Sequence, residues 1–340
     1  MASKRASIVI AGAGSIGCHA GACLALAERH VTLLARPRIV SAIQDGGLRV
    51  TDLDGLDRLL AADGFSVTAD PKAALAGADV VLVTVKSGAT DEMAGLIAAH
   101  APETAVVVSL QNGVDNAGRL RSLLTGHKVL AGMVPFNVVQ SDENERPIRF
   151  HRATSGTVLI EPGAAGLADL LNVEGFAVAG HDDIKAVQWG KLLLNLINAL
   201  VALSDLPVAA LLADRRWRLL LAAQMEEGLA AMRAAGIKPG RIAGPPPALM
   251  PRLLRLPNWL FLRLARRMLA IDPTARSSMW EDLTRGRPTE IDHLQGKVLA
   301  LARNTGTPAP VNARVADLIR DAEAKKAGSP GLSPEVVSGG

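Results

Sequence analysis

Three polar residues interrupt an otherwise apolar stretch in Trp189-Gly-Lys191-Leu-Leu-Leu-Asn195-Leu-Ile-Asn198. In one continuous helix, spacings of four and three put Lys191, Asn195 and Asn198 within about 60° of one another on one face. A buried amide or ammonium left unsatisfied costs about 1–3 kcal/mol, so this stripe needs partners, either neighbouring helices or a ligand. Two amides beside a cation suit the floor of a site for a polarised carbonyl, with the ammonium as acid. A second polar cluster follows in Ser277-Ser278-Met279-Trp280-Glu281-Asp282 and Arg287-Pro-Thr289-Glu290-Ile291-Asp292. By local pattern alone, Thr289 to Asp292 reads as a capped helix start.

The first half of the chain carries a different chemistry. Gly12-Ala13-Gly14-Ser15-Ile16-Gly17 lies between the apolar run Ser7 to Ala11 and an Ala-rich helical stretch. In that context the motif reads as a dinucleotide cradle. Gly12 permits the tight turn, Gly14 lets backbone approach a pyrophosphate, and Gly17 lets the helix pack closely on the strand. The N–H groups around Ser15 and Ile16 then face the phosphates with the positive end of the helix dipole. Nineteen positions after Gly17 stands Arg36, where an acid would mark the ribose hydroxyl of NAD. A guanidinium grips a 2′-phosphate and an acid repels it, so the expected cofactor is NADP(H), with Arg38 as a second cation nearby. Two further strand ends, Val83-Thr84-Val85-Lys86 and Leu110-Gln111-Asn112-Gly113, bring Lys86 and Asn112 to the edge where open sheets bind ligands.

The elements that must hold these groups follow from periodicity. Strands are expected at 7–11, 31–35, 79–85, 104–110, 129–139 and 156–160, with helices at 15–28, 38–45 and 71–76 and a polar hairpin at 48–57. Strand and helix alternating over short links predict an α/β fold with a parallel sheet. From about residue 183 the sequence reads as nearly all helix. The expected organisation is a Rossmann-like NADP-binding domain over 1–183, an all-helical substrate domain over 184–326, and a disordered Gly/Ser/Pro-rich tail over 327–340.

Composition narrows the chemistry. The chain has 340 residues, 49% of them hydrophobic, which is ample for a sizeable core. It has no Tyr, so no phenolic acid is available. Two cysteines exclude a disulfide framework and a Cys-rich zinc site. Cys18 and Cys23 bracket His19, yet five helical positions turn the thiols about 140° apart, which fits packing rather than a metal. The net charge of +4 is dispersed and aromatics are only 3%, which speaks against a nucleic-acid partner. Leu192 to Ala213 is the most apolar stretch, but Asn195, Asn198, Asp205 and Pro207 mark it as a buried helix, not a membrane span. Asn258 to Leu269, with Trp259, Phe261, Arg263, Arg266 and Arg267, reads as a basic amphipathic helix, either packed on its own core or part of a homodimer face. With no cleavable signal pattern at Met1 to Arg5, the expected location is the cytoplasm.

Taken in order, these pieces resemble the ketopantoate reductase (2-dehydropantoate 2-reductase) family. The resemblance spans about 7 to 322 and rests on the glycine motif with Arg36, Lys86, Gln111-Asn112-Gly113, Lys191 with Asn195, Ser278-Met279 with Asp282, Thr289-Glu290-Ile291-Asp292, and Pro310 with Asn312. It implies that Lys191 is the catalytic lysine that protonates a developing alkoxide, with Glu290 its partner acid. It also implies that Asn195 and Ser278 bind substrate, that Asn112 lies between cofactor and substrate, and that Lys86 stands near the cleft entrance. The sequence departs from the family where Asn198 follows Asn195 by three positions instead of four. No amide stands near Pro207-Val208, and the segment from about 241 to 272 is longer than in compact members. Three functions stay open at this point: reduction of ketopantoate, reduction of another 2-oxo acid or ketone, and non-catalytic sensing of NADP(H).

Overall fold

A computed structural model describes residues 6–141, 145–242, 244–265 and 274–339. The chain divides into two compact units, Met1–Ile184 and Lys185–Gly340.

The first unit is built on β1 (Ser7–Ala11), α1 (Ser15–Leu26), β2 (His30–Leu34), α2 (Pro37–Gly46), β3 (Leu48–Asp52), β4 (Asp57–Leu60), β5 (Ser66–Thr68), α3 (Pro71–Leu75) and β6 (Val80–Val83). It continues through α4 (Thr90–His100), β7 (Val106–Ser109), α5 (Asn116–Leu123), β8 (Lys128–Met133), β9 (Val138–Gln140), β10 (Ile148–Arg152), β11 (Val158–Ile160), α6 (Leu167–Leu171) and β12 (Val178–Gly180). The large sheet has the order β12-β11-β8-β7-β6-β1-β2-β5. From β8 to β5 every pair is parallel. Runs such as Val80 to Val83 are buried throughout, as strands covered on both faces require. The order reverses between β1 and β6, so the carboxyl ends of those two strands form the switch point at which such sheets bind ligands.

A second sheet, β4-β3-β10-β9, lies on the other side of α1, which touches β1 and β2 of the large sheet and β3, β9 and β10 of the small one. A helix between two sheets has no solvent face. Every residue of α1 from Gly17 to Leu24 is accordingly buried, and small residues predominate. A Cβ on Gly21 would lie 2.3 Å from Leu33 Cδ2. His19 is fully buried there, its Nε2 donating to the Gly175 carbonyl at 3.1 Å, and burial lowers its pKa. Burial raises both the Cys18 and Cys23 thiols. Beside them Arg152 and Asp52 form a buried ion pair at 2.6 Å.

One strand reading is corrected in this unit. The single strand expected at 129–139 is two, β8 and β9, parted at Pro135, which has no N–H to give a ladder. The hairpin expected at 48–57 is present as β3 paired antiparallel with β4, and β10 adds to it in parallel with β3 from about a hundred residues away.

The second unit contains α7 (Ile184–Asn195), α8 (Ile197–Ser204), α9 (Val208–Ala213), α10 (Arg215–Ala234), α11 (Met250–Leu254), α12 (Asn258–Leu264), α13 (Ser278–Thr284), α14 (Gln295–Thr305), α15 (Pro310–Lys325) and α16 (Pro334–Ser338). Among the described residues one stretch, Ile184–Ser204, is long and apolar enough to cross a membrane, and most of it is buried in protein. It is also not one helix, contrary to expectation. At Leu196 the N–H turns back to the Leu193 carbonyl at 3.3 Å, and a new helix starts at Ile197.

Arg218 is wholly buried on α10. Its guanidinium donates to the carbonyls of Leu212, Ala213, Leu254 and Leu256 and to Asn258 Oδ1, and it stacks 4.2 Å from the Phe261 ring centre. Phe261 therefore packs within its own subunit, while Trp259 is 71% exposed. Arg266, Arg267 and Leu269 of the expected basic helix lie outside the described residues.

The disordered tail expected at 327–340 is corrected as well. The Leu332 N–H donates to the Leu203 carbonyl at 2.8 Å, Ser333 caps α16, and Val337 is 1% exposed. Arg314 donates to the carbonyls of Val336 and Val337 at 2.7 and 3.1 Å. Gly, Ser and Pro composition signals local freedom, but it does not register tertiary bonds of this kind.

Candidate active site

The turn after β1 is shaped by close approach. Gly12 adopts φ +99°, and a Cβ there would meet the Val85 backbone N at 2.9 Å. A Cβ on Gly17 would lie 2.6 Å from Thr84 Oγ1 and 2.9 Å from the Gly12 carbonyl. Gly14 is different, since a Cβ there would meet nothing closer than 4.0 Å. The protein itself does not require glycine at position 14, whereas a phosphate pressed against the backbone would. No side chain caps α1 and its first turn carries no acid, so the N–H groups at Ser15 and Ile16 suit an anion. The same turn is tied to β2, with Gly12 and Ala13 N–H donating to the Leu34 carbonyl at 3.2 and 2.9 Å. Exposed Arg36, the N-cap of α2, follows two residues later, with Arg38 beside it. These residues fit a dinucleotide bearing an additional phosphate.

Lys86, which is exposed, and Asn112 follow the strand regions β6 and β7, and a buried polar network ties Ser87, the residue after Lys86, to the Asn112 carbonyl. Asn116 Nδ2 donates to Ser87 Oγ at 3.0 Å and to the Asn112 carbonyl, and Ser87 Oγ reaches that carbonyl at 3.2 Å. Thr90 Oγ1 donates to the Ser87 carbonyl at 2.7 Å and accepts from Gln111 Nε2 at 2.8 Å. Ser109 Oγ donates to Gln111 Oε1 at 3.1 Å. Sequence reading passed over Ser87, Thr90 and Asn116. The available signal is a hydroxyl or amide at the first residue of the helix that follows each strand, Thr90 of α4 and Asn116 of α5.

In the second unit Lys191 sits half-buried on α7. Burial pushes its ammonium down to about 8, and the negative charge of Glu290 acts in the opposite sense. The structure thus brings the two expected catalytic groups into electrostatic contact. Glu290 begins a tight turn, its carbonyl accepting from the N–H groups of His293 and Leu294 at 3.0 and 3.1 Å. That turn is fixed from α15, where Glu323 accepts from the Thr289 N–H at 2.6 Å. Asn195 closes α7, whereas Asn198 falls beyond the break on α8. The single-helix face that linked them in sequence is therefore interrupted. The Asn198 carbonyl accepts from Ser277 Oγ at 2.9 Å, and Ser277 is the buried cap of α13. Ser278, next along, is exposed. The tethering hydroxyl is Ser277, and Ser278 is the one open to solvent. Among the described residues no group of three or more His, Cys, Asp or Glu could hold a metal ion.

Comparison with known proteins matches both units. Residues 8–164 fit the family model for ketopantoate reductase PanE/ApbA, and residues 183–323 fit the model for its C-terminal part. The 2-dehydropantoate 2-reductase of Halobacterium salinarum is 29% identical over 325 residues, covering 93% of this chain and 98% of that one. The enzyme of the same name from Mesorhizobium japonicum is 29% identical over 349 residues, covering 92% and 96%. The crystal structure of a PanE/ApbA family ketopantoate reductase from Ralstonia eutropha JMP134 superposes with a TM-score of 0.78 at 34% identity, covering 94% and 99%. D-mandelate dehydrogenase shares the fold, with a TM-score of 0.76 at 19% identity. This chain belongs to the ketopantoate reductase family, whose members are oxidoreductases acting on CH–OH groups.

Proposed function

We propose that the chain reduces a 2-oxo acid with NADPH, and that the acid is 2-dehydropantoate (ketopantoate), giving pantoate for pantothenate biosynthesis. The observation that carries this reading is Lys191, an ammonium held near neutrality by burial, with Glu290 as its counter-charge. An acid whose pKa lies close to the working pH donates a proton efficiently and still exists in its protonated form.

When bound, NADPH supplies the hydride. Gly12, Gly14, Ser15, Ile16 and Gly17 hold its pyrophosphate through backbone, and Arg36 neutralises its 2′-phosphate. Lys86 and Asn112 stand at the strand edge beside that turn. Lys191 Nζ donates a proton to the oxygen that becomes the alkoxide, a charge that exists only as the reaction proceeds. Glu290 favours the ammonium over the amine, opposing the desolvation of Lys191. Asn195, Asn198 and Ser278 supply the polar contacts of the substrate. The proposal includes a homodimer, supported by the exposed apolar side chains Trp259 and Leu264 on α12. Sedimentation at the monomer mass would overturn that element alone.

The test is NADPH oxidation across a panel of 2-oxo acids, with and without Lys191→Ala. Ketopantoate should turn over fastest, and the variant should lose about 10²–10⁴-fold in kcat with NADPH affinity unchanged. Turnover of another acid without ketopantoate would move the substrate assignment. NADPH binding without reduction of any acid would leave a sensor. In the wild type, kcat should fall as pH rises through about 8, where Lys191 loses its proton.

A further inference from the structure

The helix that carries Lys191 breaks at Leu196, five residues later, and Gln295 follows Glu290 by the same interval. The two endpoints are bonded, with Gln295 Nε2 donating to the Leu196 carbonyl at 3.0 Å. Side chains inserted into a helix at this level are a recognised cause of kinks. Gln295 is fully buried, and its other Nε2 proton goes to Gln224 Oε1 at 3.1 Å, so the orientation of the amide is set. The Gln224 carbonyl accepts from Asn312 Nδ2 at 3.0 Å. Asn312 is in turn anchored by Glu227, which also accepts the N–H groups of Val311 and Asn312 at the start of α15. Gln224, Gln295 and Asn312 are all 0% exposed.

Three amides in an otherwise apolar core are costly, and Leu or Met at 295 would fill the same space but leave the Leu196 carbonyl and Gln224 Oε1 without this donor. An unbroken helix at Leu196 would need no side-chain donor. The amide and the break belong together, and they stand at equal chain distances from the two groups of the proposed reaction. We infer that Gln295 is a positioning residue that fixes the helix of Lys191 against the turn of Glu290. This inference rests on the assignment of Lys191 as the acid. The bond from Gln295 to Leu196 holds the ammonium where the Glu290 charge acts on it, and releasing that bond leaves Lys191 desolvated with weaker compensation.

The experiment combines kinetics with a titration that needs no turnover. Competitive acetylation of Lys191 against pH, in the cofactor-free protein, reads its pKa directly. Gln295→Met should move that midpoint downward from the wild-type value, lower kcat about tenfold and leave the KM for NADPH unchanged. The fall of kcat with pH should move the same way. Val298→Ala, a cavity on the buried face of the same helix, should match the loss of stability while leaving the Lys191 midpoint in place. If Gln295→Met does not fold, Gln295→Glu serves. Its carboxylate repels the Leu196 carbonyl at high pH and its protonated form donates to it, so kcat should recover as pH falls. A Lys191 midpoint and a kcat equal to wild type in whichever variant folds would overturn the inference. If the wild type reduces no 2-oxo acid, the proposed function fails, while the acetylation midpoint still decides the role of Gln295.

Discussion

The two units build their candidate sites from different materials. The first uses backbone: a glycine turn, the start of α1 and the carboxyl ends of parallel strands, with Arg36 as a charged addition. The second uses side chains from separate elements, Lys191, Asn195, Ser278 and Glu290, next to backbone that is tied by residues remote in sequence: Leu196 by Gln295, Asn198 by Ser277 and Thr289 by Glu323. A backbone site tolerates change wherever no atom approaches the missing Cβ. A side-chain site depends on every contact that fixes its rotamers.

The sharpest way to break this comparison lies within the glycine turn itself. Gly12→Ala should cost about 3 kcal/mol or more, through strain at positive φ and collision with Val85, and should abolish cofactor binding. Gly14→Ala meets no protein atom, so thermal unfolding should match wild type while NADPH binding weakens about tenfold or more. Equal melting losses in both would show that position 14 serves the fold and not a ligand. Next in size is Arg36→Ala, expected to cost about 2 kcal/mol in NADPH binding and little in NADH binding, as measured by fluorescence titration. Equal losses for both nucleotides would remove the 2′-phosphate role.

The smallest effect sharpens the side-chain half. Burial lowers the Lys191 pKa from 10.5 to about 8, so below pH 8 the native state carries the full cost of a desolvated ammonium. Between about 8 and 10.5 the unfolded chain binds the proton more tightly than the native state, and stability contributed at this site rises with pH. Lys191→Met should therefore stabilise the protein at pH 7 by on the order of 1 kcal/mol, with an advantage that shrinks toward pH 10. Urea unfolding at the two pH values checks this. A variant less stable than wild type at pH 7 would mean that Lys191 is well solvated or fully compensated.

The same contrast explains what could be read from sequence. The cradle was legible because its signals are local: glycines at fixed spacing, β-branched strands, and a cation at the end of the second strand. Lys191 stands out as a polar residue in apolar surroundings, whereas Glu290 lies in a polar cluster that reads locally as a helix start, and only the family resemblance singles it out. The break at Leu196 was not legible, because its donor, Gln295, lies 99 residues away. The parallel pairing of β10 with β3 and the anchoring of α16 by Arg314 were hidden for the same reason. Periodicity reports which face of an element is buried, and it is silent about which distant side chain interrupts it.

Arg218 shows how such a fold accommodates variation. Four of its five acceptors are main-chain carbonyls, which every amino acid offers. The loop and helices that follow α10 are thus recognised by path and not by side-chain identity, apart from Asn258 and Phe261. Substitutions along that path leave the guanidinium bonded as long as the backbone keeps its course. One buried arginine leaves the neighbouring side chains free to vary, and replacing that arginine would remove the donor from four main-chain carbonyls at once.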